Sequence, residues 1–130
     1  MGTWRGLCLP MDMHWKELRS LDRLKEIEEI SKKRPVLIFK HSTRCMISRM
    51  VESRLEREWT QADSDRYEIF HLDLLAHRDL SNAISKWSGV EHASPQLLII
   101  RNGICIYNAS HLDIHFADII HTLDRSDQRA

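Results

Sequence analysis

Apolar and polar residues along this chain follow two periods in turn. Leu21, Leu24, Ile27 and Ile30 recur at helical spacing with Lys, Arg and Glu between them, which predicts an amphipathic helix. Ser20 supplies an N-cap and Asp22 an acid in the first turn, and Pro35 stops the helix. Before it, "HWKEL" (His14 to Leu18) alternates weakly and reads as a short strand. "PVLIFK" is a continuous apolar run of strand length, the pattern of a strand covered on both faces. From Arg44 to about Trp59 the helical period returns, with Ile47, Met50, Val51 and Leu55 on the apolar side and Arg49, Glu52 and Arg57 outside. "YEIFHLDLL", from Tyr67, is a second buried strand. "LSNAISKWSG" predicts a helix with Leu80, Ile84 and Trp87 inward and Gly89 as C-cap. "SPQLLII" is a third apolar strand, and Asn102-Gly103 is a strong hairpin signal that returns "ICIYNA" antiparallel beside it. A last amphipathic helix is predicted from about Leu112 to Leu123.

The order is therefore β-α-β-α-β-α-β-β-α. Strands joined through helices are parallel and buried on both faces, whereas the hairpin adds an antiparallel pair. An α/β fold with a mixed central sheet and helices on both faces is the thioredoxin-like architecture. Residues 13–124 form the expected domain, residues 1–12 an N-terminal arm and residues 125–130 a polar tail.

Composition narrows the function. The 130 residues suit one domain, and 42% of them are apolar, enough for one core. Lys+Arg and Asp+Glu are 19 each, so the formal charge is zero. That argues against a nucleic-acid partner, whose binding rests on excess basic charge. The chain shows no apolar stretch of the ~20 residues needed to span a bilayer, and no signal-peptide core, so the expected partners exclude membrane and the expected location is cytoplasmic. Three cysteines, Cys8, Cys45 and Cys105, are an odd count that argues against a disulfide framework.

The candidate chemistry centres on "KHSTRCMISRM", Lys40 to Met50. Cys45 stands where a strand ends and a helix opens. Unpaired backbone N–H groups at a helix start favour the thiolate, the nucleophilic form of cysteine. His41, Arg44 and Arg49 add positive field if they point inward. Ser48 occupies the place of the second cysteine in a C-x-x-C pair. Its hydroxyl is placed to hydrogen-bond the thiolate but cannot form a disulfide, so an adduct on Cys45 must wait for a second thiol from solution. Ser94-Pro95 is the candidate cis peptide, because X-Pro bonds are the common cis bonds. His92 precedes Pro95 by three residues. His41 and His92 are each read as a base or cation for the sulfur, or as an ordinary satisfied histidine. His111 and His115, four apart in the last predicted helix, gain no further ligand in the sequence, so no metal site is expected. Cys105 reads as sheet packing, and Cys8 as incidental or as a distant resolving thiol.

"VLIFKHSTRCMISRM" and "VEHASPQLLIIRNGICIYNASH" resemble the monothiol bacilliredoxins, YtxJ-like proteins of thioredoxin fold. The likeness runs from about His14 to Leu123, and its most specific parts are "FKHSTRC-x-IS", "H-x-SPQ" and "NG-x-C-x-Y-x-ASH". It implies a monothiol thiol–disulfide oxidoreductase that removes bacillithiol, a low-molecular-weight thiol, from S-thiolated client proteins. The family's active cysteine maps onto Cys45, its serine onto Ser48 and its cis-proline onto Pro95. Thr43, Arg44, Ser94 and Pro95 are the expected substrate contacts, and His41, Arg49 and His92 the expected tuning groups. Bacillithiol enters as co-substrate, and no tightly bound cofactor is expected. Met46 departs from the family, many of whose members carry Pro or a small residue there. Two other readings stand beside this one: a redox-sensing or binding module without turnover, and an iron–sulfur carrier of the monothiol-glutaredoxin type.

Overall fold

The computed structural model describes residues 14–128; the arm with Cys8 lies outside them. The strands are β1 (Lys16–Glu17), β2 (Val36–His41), β3 (Glu68–Asp73), β4 (Gln96–Arg101) and β5 (Ile104–Ser110). The helices are α1 (Leu21–Ser31), α2 (Met46–Glu58), α3 (Gln61–Arg66), α4 (Arg78–Ser88) and α5 (Phe116–Gln128), with a 3₁₀ turn at His111–Asp113. One sheet has the order β1-β3-β2-β4-β5. β1 and β2 run parallel to β3, β4 runs antiparallel to β2, and β5 antiparallel to β4.

Alternation along the central strands divides the core into two layers. Leu37 and Phe39 of β2, Ile69 of β3 and Leu97 and Ile99 of β4 pack with Val51 and Leu55 of α2 and Ile119 and Leu123 of α5. On the other face Val36, Ile38, Phe70, Leu72, Leu98 and Ile100 pack with Ile27 of α1 and Leu80 and Ile84 of α4. Burial on both faces is why β2 and β4 read as unbroken apolar runs. Ser20 caps α1 as expected, its side chain accepting from Arg23 N–H. Asn102 and Gly103 both adopt positive φ, 57° and 73°, which a two-residue type I′ hairpin requires.

A bulge interrupts β5. Ile99 pairs with Tyr107 but Ile100 with Cys105, so one residue is extra on β5. Cys105 consequently packs on the α1/α4 layer and Tyr107, two residues on, against the other. Burial pushes the Cys105 thiol up, and its Sγ lies 3.3 Å from Tyr107 O. Its expected place in sheet packing is what the structure shows.

Four expectations are corrected. The last helix begins at Phe116, because residues 111–113 form the 3₁₀ turn, and it continues to Gln128. Residues 125–128 are therefore helical rather than tail, with Ser126 buried. His111 and His115 consequently share no helix. α3 was not expected: Thr60 and Asp63 close a capping box, side chain to backbone in both directions at 3.1 Å. The buried side of α2 is also rotated from the apolar stripe. Ser48 is buried and Glu52 half-buried, whereas Ile47 and Met50 are exposed.

Candidate active site

β2 ends at His41 and the chain turns at once, with Cys45 N–H bonding Ser42 C=O at 3.1 Å. Cys45 then takes the N-cap position of α2 with extended backbone, and its C=O accepts from Arg49 N–H at 3.1 Å. An N-cap side chain commonly accepts a bond from a first-turn N–H. Here no such bond is made, so the amide donors that open α2 have no side-chain cap from Cys45. The Cys45 thiol is half-buried. Met46 beside it is 79% exposed, and exposed Ile47 and Met50 continue the apolar surface along α2.

Sheet register brings the second motif to the same place. Lys40 pairs with Gln96, so the start of β4 lies against the end of β2. The Ser94-Pro95 bond just before β4 is cis, as expected. Pro95 is buried, and its C=O accepts from His111 N–H at 2.9 Å. Ser94 Oγ is buried without a hydrogen-bond partner among the described residues.

Ser48 corrects the sequence reading. Its Oγ accepts from Ser42 N–H at 3.1 Å and lies 2.7 Å from His41 Nδ1. Neither bond is to Cys45, the partner expected for this hydroxyl. His41 Nε2 is in turn 3.6 Å from Glu52 Oε1, and Glu52 Oε2 is 2.7 Å from His71 Nε2. A polar chain thus runs beneath α2 from Ser42 through Ser48, His41 and Glu52 to His71. Burial is the main cause that holds His41 below the ordinary imidazole range, against the pull of Glu52. For Glu52, burial opposes ionisation, but the hydrogen bond from His71 and the charges of His41 and His71 outweigh it and hold the carboxyl low.

The other predicted residues fall in three places. Thr43, Arg44 and Arg49 are exposed around the Cys45 turn. His41 is close, but its ring nitrogens face Ser48 and Glu52. His92 belongs to the opposite side of the sheet, where its Nδ1 pairs with Ser81 Oγ of α4 at 3.1 Å. Burial, then the charges of Lys40 and Arg78, push His92 down. Lys40 itself is fully buried, donating to Ser81 O at 3.2 Å and Ser85 Oγ at 3.3 Å. Burial lowers it to about 8.

Sequence reasoning passed over Glu52 and His71. The usable signal was the i, i+4 spacing of Ser48 and Glu52 on α2, facing His41 and His71 on adjacent strands.

Comparison with solved structures shows the thioredoxin fold. A protein described as having a thioredoxin fold matches with a TM-score of 0.69 and 28% identity, over 81% of this chain and 89% of that one. Thioredoxin from Malassezia sympodialis gives 0.68 at 17% identity, over 92% and 96%. Thioredoxin from Fasciola hepatica gives 0.67 at 15% identity, over 85% and 98%. Residues 16–119 match the family model of monothiol bacilliredoxin BrxC, a span that includes the Cys45 turn, Ser48 and the cis Ser94-Pro95 bond, and the chain belongs to the monothiol bacilliredoxin family.

Proposed function

We propose that this protein is a monothiol thiol–disulfide oxidoreductase of the cytoplasm that removes bacillithiol from S-thiolated client proteins. The observation that carries the reading is Cys45 at the cap of α2, with serine rather than cysteine one turn on. The Cys45 thiolate attacks the bacillithiol sulfur of the client's mixed disulfide. A new S–S bond forms on Cys45, and the client sulfur leaves as thiolate and takes a proton from water. Ser48 has no sulfur with which to expel the bound thiol. A second low-molecular-weight thiol, as thiolate, then attacks the adduct, leaves as a small disulfide with bacillithiol and restores Cys45. The first step moves the disulfide from client to enzyme, and the second moves it to solution. Electrons therefore come from the second thiol, and no tightly bound cofactor enters. On this reading Thr43, Arg44 and Ser94-Pro95 would serve as substrate contacts and Arg49 would add positive charge, while Met46, next to Cys45, is exposed.

Turnover with a client bearing bacillithiol tests the reading. Released client thiol should accumulate over many cycles, and intact mass should show one bacillithiol on Cys45 when the second thiol is withheld. An adduct without turnover would make the protein a sensor, and equal reaction with glutathione-bearing clients would remove the bacillithiol assignment.

A further inference from the structure

The chain from His41 to His71 holds more coordinating power than the Cys45 chemistry uses. His41 from β2, Glu52 from α2 and His71 from β3 each offer one ligand atom, and these atoms lie within 4.8 Å of one another. We propose that His41, Glu52 and His71 form a binding site for a borderline divalent metal ion such as zinc. This inference does not depend on the redox reading.

The spacing suits one ion. Ligands at ~2.05 Å in tetrahedral geometry are ~3.3 Å apart. The imidazole–carboxylate separations run to different oxygens of Glu52, 3.6 Å from His41 Nε2 to Oε1 and 2.7 Å from His71 Nε2 to Oε2, and one ligand atom from each residue falls within 4.8 Å of the others. Two imidazoles on the same ion would have ring centres ~5.2 Å apart; the His41 and His71 centroids are 5.1 Å apart. Two imidazoles and one carboxylate are a donor set for zinc and its neighbours and leave a coordination position open. Glu52 retains 23% of its side-chain exposure, which gives water and the ion a way in.

The outer partners fit as well. A metal-bound histidine directs its other ring N–H to an acceptor. His41 Nδ1 already has Ser48 Oγ at 2.7 Å. His71 Nδ1 is buried with no hydrogen-bond partner among the described residues, and Glu17 Oε1 stands 4.0 Å from it. While Nε2–H serves Glu52, that Nδ1 is an orphaned lone pair. When the ion takes Nε2, Nδ1 carries the proton and points it at the Glu17 carboxylate.

Calorimetric titration of the full chain with zinc chloride, after chelator treatment and under reducing conditions, tests the site. One ion should bind per chain, and Glu52→Gln and His71→Ala should each weaken binding at least tenfold. The double variant His111→Ala/His115→Ala and the variant Cys45→Ser should keep it. Absence of stoichiometric binding, unchanged binding in Glu52→Gln and His71→Ala, or its loss in either of the other two variants would overturn the proposal. ¹⁵N imidazole spectra of the unmutated chain avoid dependence on variant folding. Zinc must shift the ring nitrogens of His41 and His71; shifts confined to exposed histidines refute the site.

Discussion

Ser48 Oγ and His41 Nδ1 lie 2.7 Å apart beneath the first turn of α2, so the serine that stands for a second cysteine is held by the strand that leads into the motif. The same oxygen accepts from Ser42 N–H, which ties the turn carrying Cys45 to the helix it opens. Ser48→Ala would leave both groups buried without their partner. An unsatisfied buried donor or acceptor costs about 1–3 kcal/mol. The urea midpoint should fall accordingly, with no change in m-value; an unchanged midpoint would mean the bond contributes nothing net.

Ser48→Cys should turn the enzyme into a dithiol. Residues 45 and 48 are one turn apart at a helix start, the C-x-x-C spacing of the thioredoxin motif. The new thiol would expel the small thiol from Cys45 and close an internal bridge. Intact mass should show a loss of about two mass units on oxidation, the two thiol hydrogens that a C-x-x-C bridge removes, and less trapped adduct. Continued adduct with no bridge would show that the two side chains cannot meet.

The cysteines should separate cleanly by role. Cys45→Ser should abolish transfer, because an alcohol does not form the mixed disulfide. Cys105→Ala should keep turnover and lower stability by about 1 kcal/mol, the ordinary scale for a partly buried truncation. Equal loss of activity in both would place Cys105 in the reaction.

Lys40 should set a pH dependence of stability. Its ordinary value is 10.5 and burial lowers it to about 8 in the fold. Between those values the unfolded chain binds more protons than the folded one, so this residue makes stability rise with pH across that window. The full effect is up to about 3 kcal/mol. Lys40→Met should be the more stable protein near pH 7, with the advantage shrinking as pH rises toward 10.5. Paired thermal melts across pH 7–10 give the answer, and a constant difference would contradict it.

Most of the fold was legible because its strands are buried on both faces and its hairpin carries Asn102-Gly103, two signals with few competing readings. The Cys45 turn was legible by position alone. The inward face of α2 was not. Apolar counting placed Ile47 and Met50 inside and Glu52 outside, whereas packing buries Ser48 and half-buries Glu52 because His41 and His71 satisfy them. Burial that depends on partners distant in sequence leaves no periodic trace. α3 escaped notice because Gln61–Arg66 has no fully buried residue, and only its cap defines it. The end of α5 was misplaced for a similar reason: apolar residues stop at Leu123, but helical backbone does not.

The bulge in β5 also bears on how the molecule behaves in a crowd. A sheet edge is a row of unused amide groups that can recruit a neighbouring chain. At one edge β1 offers only two residues, too short a template to extend. At the other, β5 is seven residues long and carries exposed Ile104 and Ile106, the apolar invitation that edge-to-edge stacking needs. The extra residue breaks the regular spacing of its free groups next to those isoleucines, so an incoming straight strand meets a ladder it cannot match over more than a few rungs.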